Sequence, residues 1–196
     1  MTASVDDVVA FAHSLAGLTA DPARPECRTR YLDVIARGET FERAADMATL
    51  SGCALTMRGV LREFITHPFL DSPYVTGHAM SDLVQIAHEA GAVRPRLDPQ
   101  LGDVVIIGGG TDGGGPEHTF MVTSIQVDPD PRTLAEASEV LTVIEGGQRD
   151  AGRFACIIQR DHEIDDHSGL DHAPGSAPRK VRFVLDTGAI LERFGR

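Results

Sequence analysis

Tryptophan is missing from this chain, tyrosine occurs twice, and Lys180 is the only lysine. A Schiff-base or phosphate-loop lysine would have to be that one residue. Cysteine is scarce too. Cys27, Cys53 and Cys156 form an odd set with no Cys-x-x-Cys pair, which argues against a disulfide framework or a cysteine-rich zinc site. Free thiols of this kind suit a reducing compartment. No apolar run approaches the roughly 18 residues of a membrane span. The opening MTASVDDVVAFAHSLAGL carries acids where a secretory signal has its positive region. The expectation is a protein made in the cytoplasm without a Sec signal, with non-classical export left open. Positive charge is also limited: 18 Lys+Arg against 29 Asp+Glu leave a net charge of −11. That balance argues against nucleic acid as a partner and gives no attraction to an anionic membrane.

What is present suits one globular unit: 196 residues, 42% hydrophobic and 24% charged. Apolar residues recur at three- and four-residue spacing in Val5–Leu18, Pro25–Arg37 and Thr40–Ala48, which predicts helices. Ser51 reads as the N-cap of a further helix to about Ile65, and Ser81 as the cap of one ending at Gly91. After Leu101-Gly102 the pattern changes to β-branched runs: Asp103–Ile107, Thr119–Val127, Val140–Ile144, Phe154–Gln159 and Lys180–Leu185. Helices followed by strands predict an α+β domain with an antiparallel sheet. Residues 1–50 read as the helical part of that domain, and 51–196 as its core. Insertions are expected at 128–139 and 161–179, the second a polar loop.

Three residues carry the candidate chemistry. Cys53 falls in the first turn expected after Ser51, where free backbone N–H groups and the helix dipole would lower a thiol pKa and help hold an oxyanion. Taken alone, it reads equally as a small buried hydrophobe. His118 opens the strand His118-Thr119-Phe120-Met121-Val122 after a glycine-rich loop, in reach of a helix start, as a base for the thiol must be. Glu145 ends the apolar strand Val140–Ile144, just before Gly146-Gly147, where a carboxylate can orient an imidazole. Gln148 and Asp150 compete for that orienting role, and Ser51 and Gln148 are the candidates for assisting the oxyanion.

In order and context these residues resemble the papain-like cysteine hydrolases of the CHAP and NlpC/P60 type. A Cys opens a helix, Leu101-Gly102-Asp103-Val104-Val105-Ile106 resembles their turn-plus-strand, a His opens the next strand, and Val143-Ile144-Glu145-Gly146-Gly147 resembles the glutamate-glycine-asparagine strand end. The likeness covers about Ser51–Arg160. It implies a papain-like fold, with N-terminal helices packed on a C-terminal antiparallel sheet and the catalytic Cys at a helix start. It also implies hydrolysis of an amide in a peptide or peptidoglycan stem without cofactor or metal, as in a phage-type lysin or a delivered antibacterial toxin. An immunity or carrier protein is then an expected partner beside the peptide or peptidoglycan fragment. Three departures stand out: Ser51-Gly52 replaces the usual residues before the Cys, Gly147 stands where CHAP members have asparagine, and no tyrosine stands just upstream of Cys53 for the oxyanion role of many NlpC/P60 members, Tyr31 being the nearest. They keep open a second class of function, a catalytically inactive binding module.

Three further motifs carry less. Gly108-Gly109-Gly110-Thr111-Asp112-Gly113 spells a dinucleotide fingerprint, but Gly114-Gly115-Pro116 and strand residues follow instead of a helix, so a mobile flap is expected. Gly146-Gly147-Gln148 matches the tripeptide of peptide-release factors in a chain without their basic surface. Asp161-His162-Glu163-Ile164-Asp165-Asp166-His167, continued by Asp171-His172, has metal-ligand residues without a recognised spacing and reads as a solvated acidic loop.

Overall fold

The computed structural model describes residues 3–37, 39–71, 78–94, 98–108, 116–127, 139–150, 154–165, 169–172 and 177–196. Five helices come first: α1 (Val5–Ser14), α2 (Pro25–Ala36), α3 (Phe41–Phe64), α4 (Pro68–Asp71) and α5 (Ala79–Ala90). Six strands follow, β1 (Val104–Gly108), β2 (Pro116–Val127), β3 (Glu139–Asp150), β4 (Phe154–Asp165), β5 (Leu170–His172) and β6 (Arg179–Leu185), and α6 (Thr187–Phe194) closes the chain. The helix ends carry ordinary caps. Ser4 and Asp7 form a reciprocal capping box on α1, Pro25 opens α2, and Gly91 ends α5 in the left-handed region at φ +67°. α5 begins at Ala79, ahead of Ser81, whose hydroxyl donates to the His78 carbonyl.

The strands do not make the papain-like arrangement of helices on an open sheet. They close into a six-stranded antiparallel barrel in the order β1-β2-β3-β4-β5-β6, because β6 pairs with β5 on one side and with β1 on the other. Period-two patterning reports which faces of a strand are covered, not which strands become neighbours, so closure left no mark in the strand runs. The wholly apolar Val104–Ile107 shows the result. Val104 and Ile106 pack outward with the helical core, while Val105 and Ile107 join Phe120, Val122, Leu141 and Val143 in a second cluster filling the barrel. Each such buried side chain stabilises the fold by roughly 1.5–3 kcal/mol.

The second correction concerns α3. No break separates Thr40–Ala48 from Ser51–Ile65; one helix runs through both, capped by Thr40, whose hydroxyl accepts from the Arg43 amide. Ser51 is an interior helical residue, and the proposed division at residue 50 falls inside α3. The residue that imitated a boundary, Gly52, serves as a contact. A Cβ there would stand 2.7 Å from the Gly147 Cα, so α3 crosses β3 with backbone against backbone. Gly146, Gly147 (φ +73°) and an irregularity in the β3–β4 register make room for the crossing.

Two more differences bear on the site. The second expected insertion is partly sheet, since Asp161–Asp165 continues β4 and Leu170–His172 is β5. The N-terminal half of β4, which has no β5 partner, is bordered by Gly17–Ala20. Gly17 N donates to Ile157 O, Ile157 N to Leu18 O and Ala20 N to Ala155 O, each at 2.8 Å. Most of the glycine loop (109–115) and of the first insertion (128–138) lies outside the described residues.

Candidate active site

Cys53 sits on the face of α3 turned to the barrel, about three and a half turns past the Thr40 cap. The helix-start dipole invoked from the sequence is therefore absent, and the neighbours that act on the thiol come from the barrel. β2 supplies His118. His118 lies two residues beyond Phe120, which pairs with Glu145 of β3, so the imidazole and the carboxylate are diagonal neighbours on the inward face. His118 Nε2 stands 2.5 Å from Glu145 Oε2, and the imidazole is near enough to the Cys53 thiol for each to shift the other's pKa.

Burial sharpens this pairing. Glu145 is fully buried, His118 is buried, and Cys53 is half-buried. Burial pushes the Cys53 thiol up, but hydrogen bonding and charge from His118, with the backbone amides of Thr119 and Ala54, outweigh it and leave the thiol below its ordinary value. Burial likewise pulls His118 down, and Cys53 and Glu145 reverse that, raising it to about 9. Glu145, pushed up by burial, is brought down to about 2 by His118 and His162. At neutral pH the imidazole is thus protonated between two anion-forming groups, the condition under which a thiolate persists.

Of the remaining sequence candidates, Gln148 reaches the site weakly, its Nε2 lying 3.5 Å from His118 Nε2. Ser51 belongs to α3 with its side chain outside the described residues, as does that of Asp150. Tyr31 of α2, the nearest tyrosine before Cys53 in the sequence, has its hydroxyl fully buried beside Gly52, within 3.5 Å of where a Cβ on that glycine would lie. Among the described residues that hydroxyl has no hydrogen-bond partner, and burial pushes its pKa above the ordinary tyrosine value.

The acidic stretch read as a solvated loop supplies the back of the site. His162 and Asp171 are both buried inside the barrel, with His162 Nδ1 2.6 Å from Asp171 Oδ1 and His162 Nε2 3.6 Å from Glu145 Oε2. Arg160 Nε approaches the other Glu145 oxygen at 3.3 Å. The signal that could have found His162 was alternation past Gln159: Arg160, His162 and Ile164 share one face of an extended strand. Among the described residues, no group of three or more His, Cys, Asp and Glu side chains is arranged to hold a metal ion. No described helix is long and apolar enough to cross a membrane.

Comparison with protein-family models, with curated proteins and with solved structures finds no match to this chain. The site must be read from its own geometry.

Proposed function

We propose that this protein is a cysteine hydrolase that cleaves an amide bond by acyl transfer through Cys53. The observation that carries the reading is the buried His118, 2.5 Å from Glu145 and near enough to Cys53 to lower the thiol pKa. Nucleophile, base and orienting group stand in series on three different elements, which is what thiol catalysis needs. The substrate class that goes with the resemblance in sequence is a peptide or peptidoglycan stem peptide.

The steps follow from those positions. The Cys53 thiolate attacks the carbonyl carbon, and the electron pair of the C=O bond moves to oxygen. As the tetrahedral adduct collapses, His118 gives its proton to the departing nitrogen; an amine leaves and a thioester remains. Neutral His118 then takes a proton from water, whose oxygen attacks the thioester. Collapse releases the carboxylic acid and returns the thiolate–imidazolium pair. Glu145 keeps the ring oriented and its charge compensated throughout.

The test is thiol reactivity followed by turnover. Iodoacetamide should label Cys53 faster than Cys27 or Cys156 at about pH 6.5, well below the ordinary thiol pKa of about 8.5, and His118→Ala should cut that rate at least about tenfold. Cys53→Ser should abolish release of amine from muropeptides and stem peptides that the wild type cleaves. Equal labelling of the accessible thiols, with no turnover of these amides, would leave the chain as a binding module.

A further inference from the structure

Behind Glu145 the barrel holds a second ionisable pair for which the reaction described above has no use. His162 is wedged between two carboxylates, Asp171 at 2.6 Å on Nδ1 and Glu145 at 3.6 Å on Nε2, and its ring lies against Phe120 with centroids 4.4 Å apart. All three polar residues are buried, on strands β3, β4 and β5. Isolated charges in such surroundings would cost several kcal/mol each, so side chains of this kind persist only as a mutually neutralising set. Their order in space is Cys53, His118, Glu145, His162, Asp171, with Arg179 Nη2 3.9 Å from the far oxygen of Asp171.

We propose that His162 and Asp171 are positioning residues for the Cys53–His118 pair, a clamp inside the barrel that keeps Glu145 ionised and aimed at His118. This deepens the hydrolase reading and rests on it. Asp171 fixes the ring and tautomer of His162, so that an N–H points at Glu145. Oε2 of Glu145 is then shared by two imidazoles, 2.5 Å to His118 and 3.6 Å to His162. Without the second imidazole the carboxylate keeps Arg160 at 3.3 Å, from a side chain about a third exposed, as its only other opposite charge among the described residues. The groups facing Glu145 are therefore His118 from β2 and Arg160 and His162 from β4. Those facing His162 are Glu145 from β3 and Asp171 from β5, and Arg179 of β6 stands behind Asp171. Burial works against a charged His162, and Asp171 and Glu145 override it. Loss of the clamp raises the Glu145 pKa, weakens its hold on the His118 cation, and so raises the pH at which the Cys53 thiolate forms.

The test is the pH profile of Cys53 alkylation by iodoacetamide in the full chain, read by peptide mass mapping. Asp171→Asn keeps shape and one acceptor but removes the charge. It should move the acid limb upward by about one pH unit, a roughly tenfold slower reaction at about pH 6. His162→Phe should do the same, and His162→Gln, which can still donate to Glu145, should recover part of the rate. A role limited to packing would leave the profile in place. Nitrogen NMR of the wild type supplies a measurement that needs no variant: His162 should carry protons on both ring nitrogens at about pH 7, above the ordinary imidazole value. A neutral His162, or a wild-type profile retained by all three variants, overturns the clamp while leaving the hydrolase reading intact. An ordinary thiol profile in the wild type overturns both.

Discussion

Gly52 and Gly147 meet backbone to backbone. The α3 residue just before Cys53 and the β3 residue two past Glu145 are so close that neither tolerates a Cβ in place. One added to Gly52 would lie 2.7 Å from the Gly147 Cα, and one on Gly147 would lie 2.8 Å from the Cys53 nitrogen. The contact brings Cys53 to the barrel. A side chain on Gly147 would push Cys53 away from His118.

Alanine at either position should therefore uncouple thiol from imidazole as well as destabilise the protein. Gly147→Ala combines a left-handed backbone at φ +73° with a steric clash, and should cost about 2–4 kcal/mol in urea unfolding. Gly91→Ala is the control, since it shares positive φ (+67°) with nothing within 4 Å. It should cost only about 1 kcal/mol and leave Cys53 alkylation unchanged. Equal losses for the two variants would show that the crossing is not tight.

Stability should peak in mildly acidic solution. Folding lowers Glu145 from 4.5 to about 2, so its contribution is complete above 4.5 and is lost as pH falls toward 2. Folding raises His118 from 6.5 to about 9, so its contribution is complete below 6.5 and is lost as pH rises toward 9. The pair thus favours the fold most between 4.5 and 6.5. Urea unfolding across pH should show both declines, and Glu145→Gln should remove the acid one and shrink the alkaline one. Parallel wild-type and variant curves would mean that the two groups do not interact.

Tyr31→Phe should be tolerated. Deleting a fully buried hydroxyl that has no partner among the described residues removes a desolvation cost and no hydrogen bond. Thermal or urea unfolding should show a change between zero and about 1 kcal/mol in favour of phenylalanine. A loss of stability, or slower Cys53 alkylation, would instead assign the hydroxyl a working contact.

The three central residues were legible because each stands at a border. His118 and Glu145 lie where β-branched runs meet glycine, and Cys53 follows the Ser51-Gly52 pair. The same borders misled on geometry. Ser51-Gly52 reads as a helix start, whereas the glycine there accommodates another strand, a purpose visible only when β3 is in place. His162 and Asp171 were lost because local polarity signals solvent; what makes them interior is the closing of the barrel, a long-range event. The C-terminal helix was missed although Asp186 caps it through the Ala189 amide, since eight residues leave little room for a period to show.

The segment Gly17–Ala20 covers an edge of the β-structure. Its amides and carbonyls occupy the side of β4 away from β3, along the stretch that β5 does not reach. Unpaired strand backbone is an adhesive template for other chains. The turn after α1 thus works as a selvedge on the β-structure, and loosening α1 would bare an edge along which copies of the barrel could stitch together.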